Sequence, residues 1–174
     1  MAKYKRFEET YSQGMEYLTL RNLQAVLGDS QYEALCRIKL LDTLDTYTQQ
    51  GAYAAFEQAV YALPEEKLNA ETLNALFSEL MQDYGCGEHG TEYDSVNWTQ
   101  ITHLYEMPFY MLSYCVSVDS AMQIYEKALE DPDEGWETYS ALLDSPELPF
   151  LDALEDGGLE SPMSEGRAEA VVAL

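Results

Sequence analysis

The sequence predicts an all-α protein, an irregular array of helices in a single domain spanning residues 1–174. Three observations carry that reading. Apolar residues recur at helical spacing through most of the chain, no segment keeps the two-residue alternation of a strand, and Gly, Pro and Asp/Asn clusters punctuate the periodic stretches. No internal repeat and no linker divides the chain.

The first helix is expected over 8–27, with Met15, Leu18, Leu23, Val26 and Leu27 on one face, and Gly28-Asp29-Ser30 acts as stop and cap together. A long helix over 31–62 follows from Leu35, Ile38, Leu41, Leu44, Ala52, Ala55, Phe56, Ala59 and Val60, with a bend at Gly51. Leu63-Pro64-Glu65-Glu66 ends it. Asn69 opens the next helix, which carries Leu73, Leu76, Phe77 and Leu80, and a glycine-rich loop spans Tyr84 to Asp94. Helix resumes near Trp98 and runs to about Glu130. Pro108 lies inside it, cannot donate a backbone hydrogen bond and crowds the carbonyl of Leu104, so a kink or a fresh helix start is expected there. Asp131 to Gly135 reads as a turn, and short helices are expected at 136–143, 147–156 and 164–173.

A chain of 174 residues can bury a real core. Its net charge is −23, from 9 basic and 32 acidic residues. Such a field repels nucleic acid and anionic membrane and excludes both as partners, while it attracts cations and basic peptides. Solubility alone is the blander explanation. Cys36, Cys86 and Cys115 contain no C-x-x-C, and Cys36 and Cys115 read as buried thiols, which fits a reducing cytoplasm. Cys86 and His89 have C-x-x-H spacing, but two ligands do not make a zinc site. Residues 1–10 lack the apolar stretch of a signal peptide. The longest apolar run, Met107 to Val118, is too short to span a bilayer.

Two polar stripes stand out. Glu9, Ser12, Gln13 and Glu16 share one helix face at i, i+3, i+4 and i+7. Two carboxylates, a hydroxyl and an amide on one face suit a metal and its supporting shell, or an ordinary solvated surface. The second stripe lies in Trp98 to Tyr114, which holds one of the two histidines and three tyrosines in 17 residues. His103, Tyr110 and Tyr114 fall near one side of an ideal helix, flanked by Tyr105 and Glu106. Imidazole and phenol donors can polarise a carbonyl or stabilise an oxyanion, and the same residues can equally be aromatic packing with one satisfied histidine.

Together the stripes resemble the C-terminal part of the M3 family of zinc oligopeptidases, the oligoendopeptidase F and Pz-peptidase group. His103 to Tyr114, H-x-Y-E-x-P-F-Y-x-x-x-Y, is similar to that group's substrate-binding segment, and Glu9 to Glu16 is similar to its E-x-x-S-x-x-M-E segment. Tyr139-Ser-Ala-Leu-Leu, Gly157-Gly158 and Ser161-Pro162 fit its tail. The resemblance implies the helical lower half of a catalytic cleft. It implies Glu9 as the third zinc ligand and Glu16 as a buried supporting carboxylate. It further implies His103, Tyr105, Tyr110 and Tyr114 as contacts to an oligopeptide substrate, with His103, Tyr110 and Tyr114 in catalytic roles and a tyrosine stabilising the tetrahedral intermediate.

The family also needs H-E-x-x-H for two zinc ligands and the general base. Here the only histidines, His89 and His103, are fourteen residues apart, and neither opens that motif. In the family that helix precedes the Glu9 position by a few dozen residues, whereas eight residues precede Glu9 here. The expectation is therefore a truncated metallopeptidase portion that binds no zinc and is inactive alone. Its alternatives are one half of a split enzyme completed by an upstream chain carrying H-E-x-x-H, or a non-catalytic peptide-binding module. Apolar surface left uncovered by a missing half predicts a homodimer.

Overall fold

The computed structural model describes residues 8–86, 94–144 and 148–172. Every regular element among them is helical: α1 Glu8–Asn22, α2 Gln24–Leu27, α3 Asp29–Ala62, α4 Ala70–Asp83, α5 His103–Glu106, α6 Met111–Glu130, α7 Pro132–Asp144, α8 Phe150–Asp156 and α9 Arg167–Val172, with single turns of 3-10 helix at Glu65–Lys67 and Asn97–Gln100. The all-α expectation holds. No helix among the described residues is long and apolar enough to cross a membrane.

Several boundaries follow the expected chemistry. Gly28 ends α2 at φ +76°, a conformation that glycine adopts without strain, and α3 starts at the next residue. The Asn69 side chain accepts the Thr72 N–H at 3.0 Å and caps α4. α3 runs through Gly51 as one helix, and a Cβ there would lie 2.9 Å from the Tyr84 ring, so the glycine makes room for that ring. One expectation needs correction. Residues 131–135 are not a free turn, because Pro132 takes the first helical position of α7, where its missing N–H costs nothing. Asp131 Oδ1 accepts the Asp133 N–H at 2.9 Å there. Between Trp98 and Glu130 the fresh start expected at Pro108 is present: helix stops at Glu106 and begins again at Met111. The glycine-rich segment with His89 lies largely outside the described residues.

The chain forms two compact units, Met1–Thr43 with Val116–Leu174, and Leu44–Cys115. In the first, Leu18 of α1 packs with Ile124 and Ala128 of α6, Tyr139 and Leu142 of α7, and Ala153 and Leu154 of α8. Tyr11 donates its hydroxyl to the Leu142 carbonyl at 3.1 Å, and Tyr139 returns a bond to the Tyr11 carbonyl at 3.1 Å, stitching α1 to α7. Each phenol thus finds the partner that a buried or partly buried tyrosine requires. The apolar face read for 8–27 is shifted: Tyr17, Leu18 and Leu20 are buried, while Met15 and Val26 are exposed. In α3, Ile38 and Leu41 are exposed as well.

In the second unit the core is Ala52, Phe56, Phe77 and Met81, with Trp98, Ile101 and Leu104 against it. Phe56 meets Phe77 edge to face, with centroids 5.2 Å apart. Cys115 is buried in this unit, donates to the Tyr47 carbonyl at 3.7 Å, and its thiol is pushed up to about 11 by burial. Cys36 is only partly buried, against expectation, and so is Cys86. At neutral pH, Ellman's reagent is expected to titrate Cys36 and Cys86 readily and Cys115 only after unfolding, because the reactive thiolate of Cys115 is suppressed and shielded. Equal labelling rates in single-cysteine variants would contradict this placement.

Candidate functional site

Pro108 sets the local geometry of the second stripe. The residue before a proline is pushed out of the helical region, and Met107 adopts φ −139°, ψ 74°, ending α5. Phe109 then takes φ +61°, the only non-glycine left-handed residue among the described ones. A new helix starts at Met111. The turn is held by the Phe109 N–H, which donates to Glu57 Oε1 at 2.6 Å, and by the Tyr110 N–H on the Met107 carbonyl at 3.1 Å.

This interruption brings His103, Tyr110 and Tyr114 together. The His103 ring stacks on Tyr110 with centroids 5.4 Å apart and planes 12° from parallel. Tyr114 stands perpendicular to both, 6.2 Å from His103 and 5.4 Å from Tyr110. All three are partly buried, so one imidazole and two phenols form a single aromatic group with access to solvent. Such groups supply donors for a peptide carbonyl and flat apolar surface beside them.

Tyr105 does not join this group. Its ring lies 6.3 Å from Trp98, and its hydroxyl donates to the Trp98 carbonyl at 3.4 Å. It lines a separate pocket of about 220 Å³ in the same unit, with Phe56, Glu57, Val60, Leu73 and Trp98 among its walls. The Trp98 indole N–H donates to Asn74 Oδ1 at 2.9 Å, which fixes that wall. Glu57, only 4% exposed, was missed from sequence. Its signal is an acid set alone in the apolar run Ala52 to Val60.

The first stripe belongs to the other unit. Ser12 donates to the Glu9 carbonyl at 3.1 Å, an intrahelical bond. Gln13 Oε1 and Thr10 Oγ1 are buried with no hydrogen-bond partner among the described residues. Glu16 is exposed rather than buried: it pairs with Lys39 at 2.6 Å, and Lys39 also reaches Asp42 at 3.1 Å. The Lys39 ammonium lies over the Tyr17 ring, 5.1 Å from its centroid, a cation–π contact beside its two carboxylate partners. No three His, Cys, Asp or Glu side chains come together as a metal site among the described residues. His89, the C-x-x-H partner of Cys86, lies outside them.

No family model matches the chain, and no curated protein does. A solved crystal structure of a protein provisionally assigned as an oligoendopeptidase F is similar to it, with a TM-score of 0.80 and 23% identity over 99% of this chain. The match spans 32% of that protein, so the chain covers about a third of its length. At that identity the likeness shows the helical fold.

Proposed function

We propose that this chain is the C-terminal, substrate-binding portion of an M3-like zinc oligoendopeptidase, and that these 174 residues alone hold peptide without cleaving it. The observation that carries the reading is the assembly of His103, Tyr110 and Tyr114 into one accessible group within a fold similar to an oligoendopeptidase F. In this reading the imidazole and the phenols donate to backbone carbonyls of an extended oligopeptide, the mode by which main-chain hydrogen bonds give affinity without sequence selection. Hydrolysis in the resembled family draws on zinc, which activates water and polarises the carbonyl. Glu9 is one carboxylate, so hydrolysis here would need H-E-x-x-H from a longer protein or from a second chain. A cytoplasmic setting and self-association through uncovered apolar surface belong to the same proposal.

Titration with penta-alanine amide tests it. Saturable binding is expected, weakened about tenfold by His103→Ala or by Tyr110→Phe, the loss of one hydrogen bond to the ligand. A fluorogenic oligopeptide should remain uncleaved with or without added zinc. Absence of binding heat, or turnover by this chain alone, would overturn the proposal.

A further inference from the structure

The pocket beside Tyr105 has an unusual floor. Glu57 is the only charged residue on its wall, and the rest is Phe56, Val60, Tyr61, Leu73, Trp98 and Leu104 with Tyr105. Glu57 is 4% exposed as a residue, and the bond described to its carboxylate comes from a neutral donor, the Phe109 N–H. None of the ion pairs among the described residues includes Glu57. A carboxylate taken out of water without a cation is costly, and one backbone N–H compensates it only in part.

We infer that this pocket is a binding site for a single alkylammonium group, the side chain of a lysine, seated with its stem on Phe56 and Trp98 and its head on Glu57. Size supports one side chain: about 220 Å³ falls below the roughly 300–1,000 Å³ of sites for drug-sized ligands. The aromatic walls support a cation, since indole and phenyl faces attract one, and an apolar wall suits the methylene stem. Charge supports it again, because a net −23 draws basic peptides and repels acidic ones. Ammonium is favoured over guanidinium because Oε1 is already engaged by Phe109, while a guanidinium fork is best matched by two open carboxylate oxygens. That the natural occupant is a peptide side chain rests on the proposed function; the chemistry of the pocket does not.

The full chain carrying Trp136→Phe leaves Trp98 as its single tryptophan and reports on the pocket by fluorescence. The probes are N-acetyl-lysine methylamide and N-acetyl-norleucine methylamide, which keeps the four-carbon stem and lacks the ammonium, titrated at about 0.15 M salt, where the Debye length of about 8 Å screens the general surface field. The lysine probe is expected to bind about tenfold more tightly, as for a hydrogen bond to a charged group, and Glu57→Gln should erase that preference. Glutamine keeps an acceptor for the Phe109 N–H, so the turn is retained, and an unchanged thermal melt checks this. Should Glu57→Gln unfold, Leu73→Trp, which enlarges another side chain of the lining, must abolish binding of both probes, followed by calorimetry because that variant carries a second tryptophan. Equal affinity for the two probes, a preference that survives in Glu57→Gln, or no saturation would each overturn the inference. Lysine-probe binding without penta-alanine binding would keep this site and remove the peptide-groove reading; the reverse would remove only this site.

Discussion

Gly135→Ala is expected to destabilise the protein by about 3 kcal/mol, the upper part of the overpacking range. Gly135 sits in the first turns of α7 where that helix crosses α6. A Cβ there would stand 2.4 Å from the Ala128 Cβ, 2.7 Å from its Cα and 2.8 Å from its backbone nitrogen. Two of these atoms are main chain, so no rotamer change relieves the clash. The helices cannot part easily either, because only Asp131 joins them. Intrinsic propensity argues the other way, since alanine is the better helix former by about 1 kcal/mol, so the sign of the result separates the two effects. For a chain of this size the melting temperature should fall by about 6–12 °C. An unchanged or higher melting temperature would mean that the close approach of α6 and α7 is not real. Ala128→Gly in the same chain should rescue only in part, because the main-chain contacts persist.

Asp119→Ala should cost about 3–5 kcal/mol, the penalty for stranding a buried charge. Asp119 is fully buried in α6. Its Oδ1 accepts from Arg167 Nε at 3.1 Å and lies 3.0 Å from Nη2 as an ion pair, and its Oδ2 accepts from Gln123 Nε2 at 2.7 Å. Gln123 in turn donates to the Glu160 carbonyl at 3.1 Å and accepts the Glu160 N–H at 2.8 Å. Removing the carboxylate leaves a buried guanidinium, for which Glu126, 3.9 Å away and itself held above the usual carboxylate range by burial, is a poor substitute. Replacing Asp119 and Arg167 together by leucine should cost less than Asp119→Ala alone, because no charge is then stranded. Denaturant unfolding measures both. A single-variant cost within about 0.5 kcal/mol, as at a bland surface site, would sink the assignment.

Local chemistry made much of the fold readable. Asn69, Gly28 and the breaks at Leu63-Pro64 and Pro108 act on residues beside them, and they fall where helices start and stop in the structure. What periodicity could not settle was which face each helix buries. Tyr17 displaces Met15 from the core because its hydroxyl finds Thr43 and its ring packs 5.4 Å from Tyr125. Those partners are remote in sequence. Glu16 was misplaced for the same reason: its fate depends on Lys39, which no spacing within α1 reveals. Within the candidate site, His103, Tyr110 and Tyr114 were found as a set, while Glu57 was not, because its partner Phe109 is 52 residues away. Tyr105 was grouped with them by proximity along the chain, yet it serves Trp98 and the pocket.

The interruption at Pro108 also changes distances along the helical axis. On an unbroken helix, positions 103 and 110 would be separated by about 10.5 Å of axial rise, at 1.5 Å for each residue. That span is nearly twice the 5.4 Å between the His103 and Tyr110 rings. The turn through Met107 to Tyr110 thus redirects the backbone between two helical segments whose rings meet across it. The aromatic stack is a product of the turn as much as of residue choice, and a better helix former at position 108 is expected to pull it apart while leaving every ring in place in the sequence.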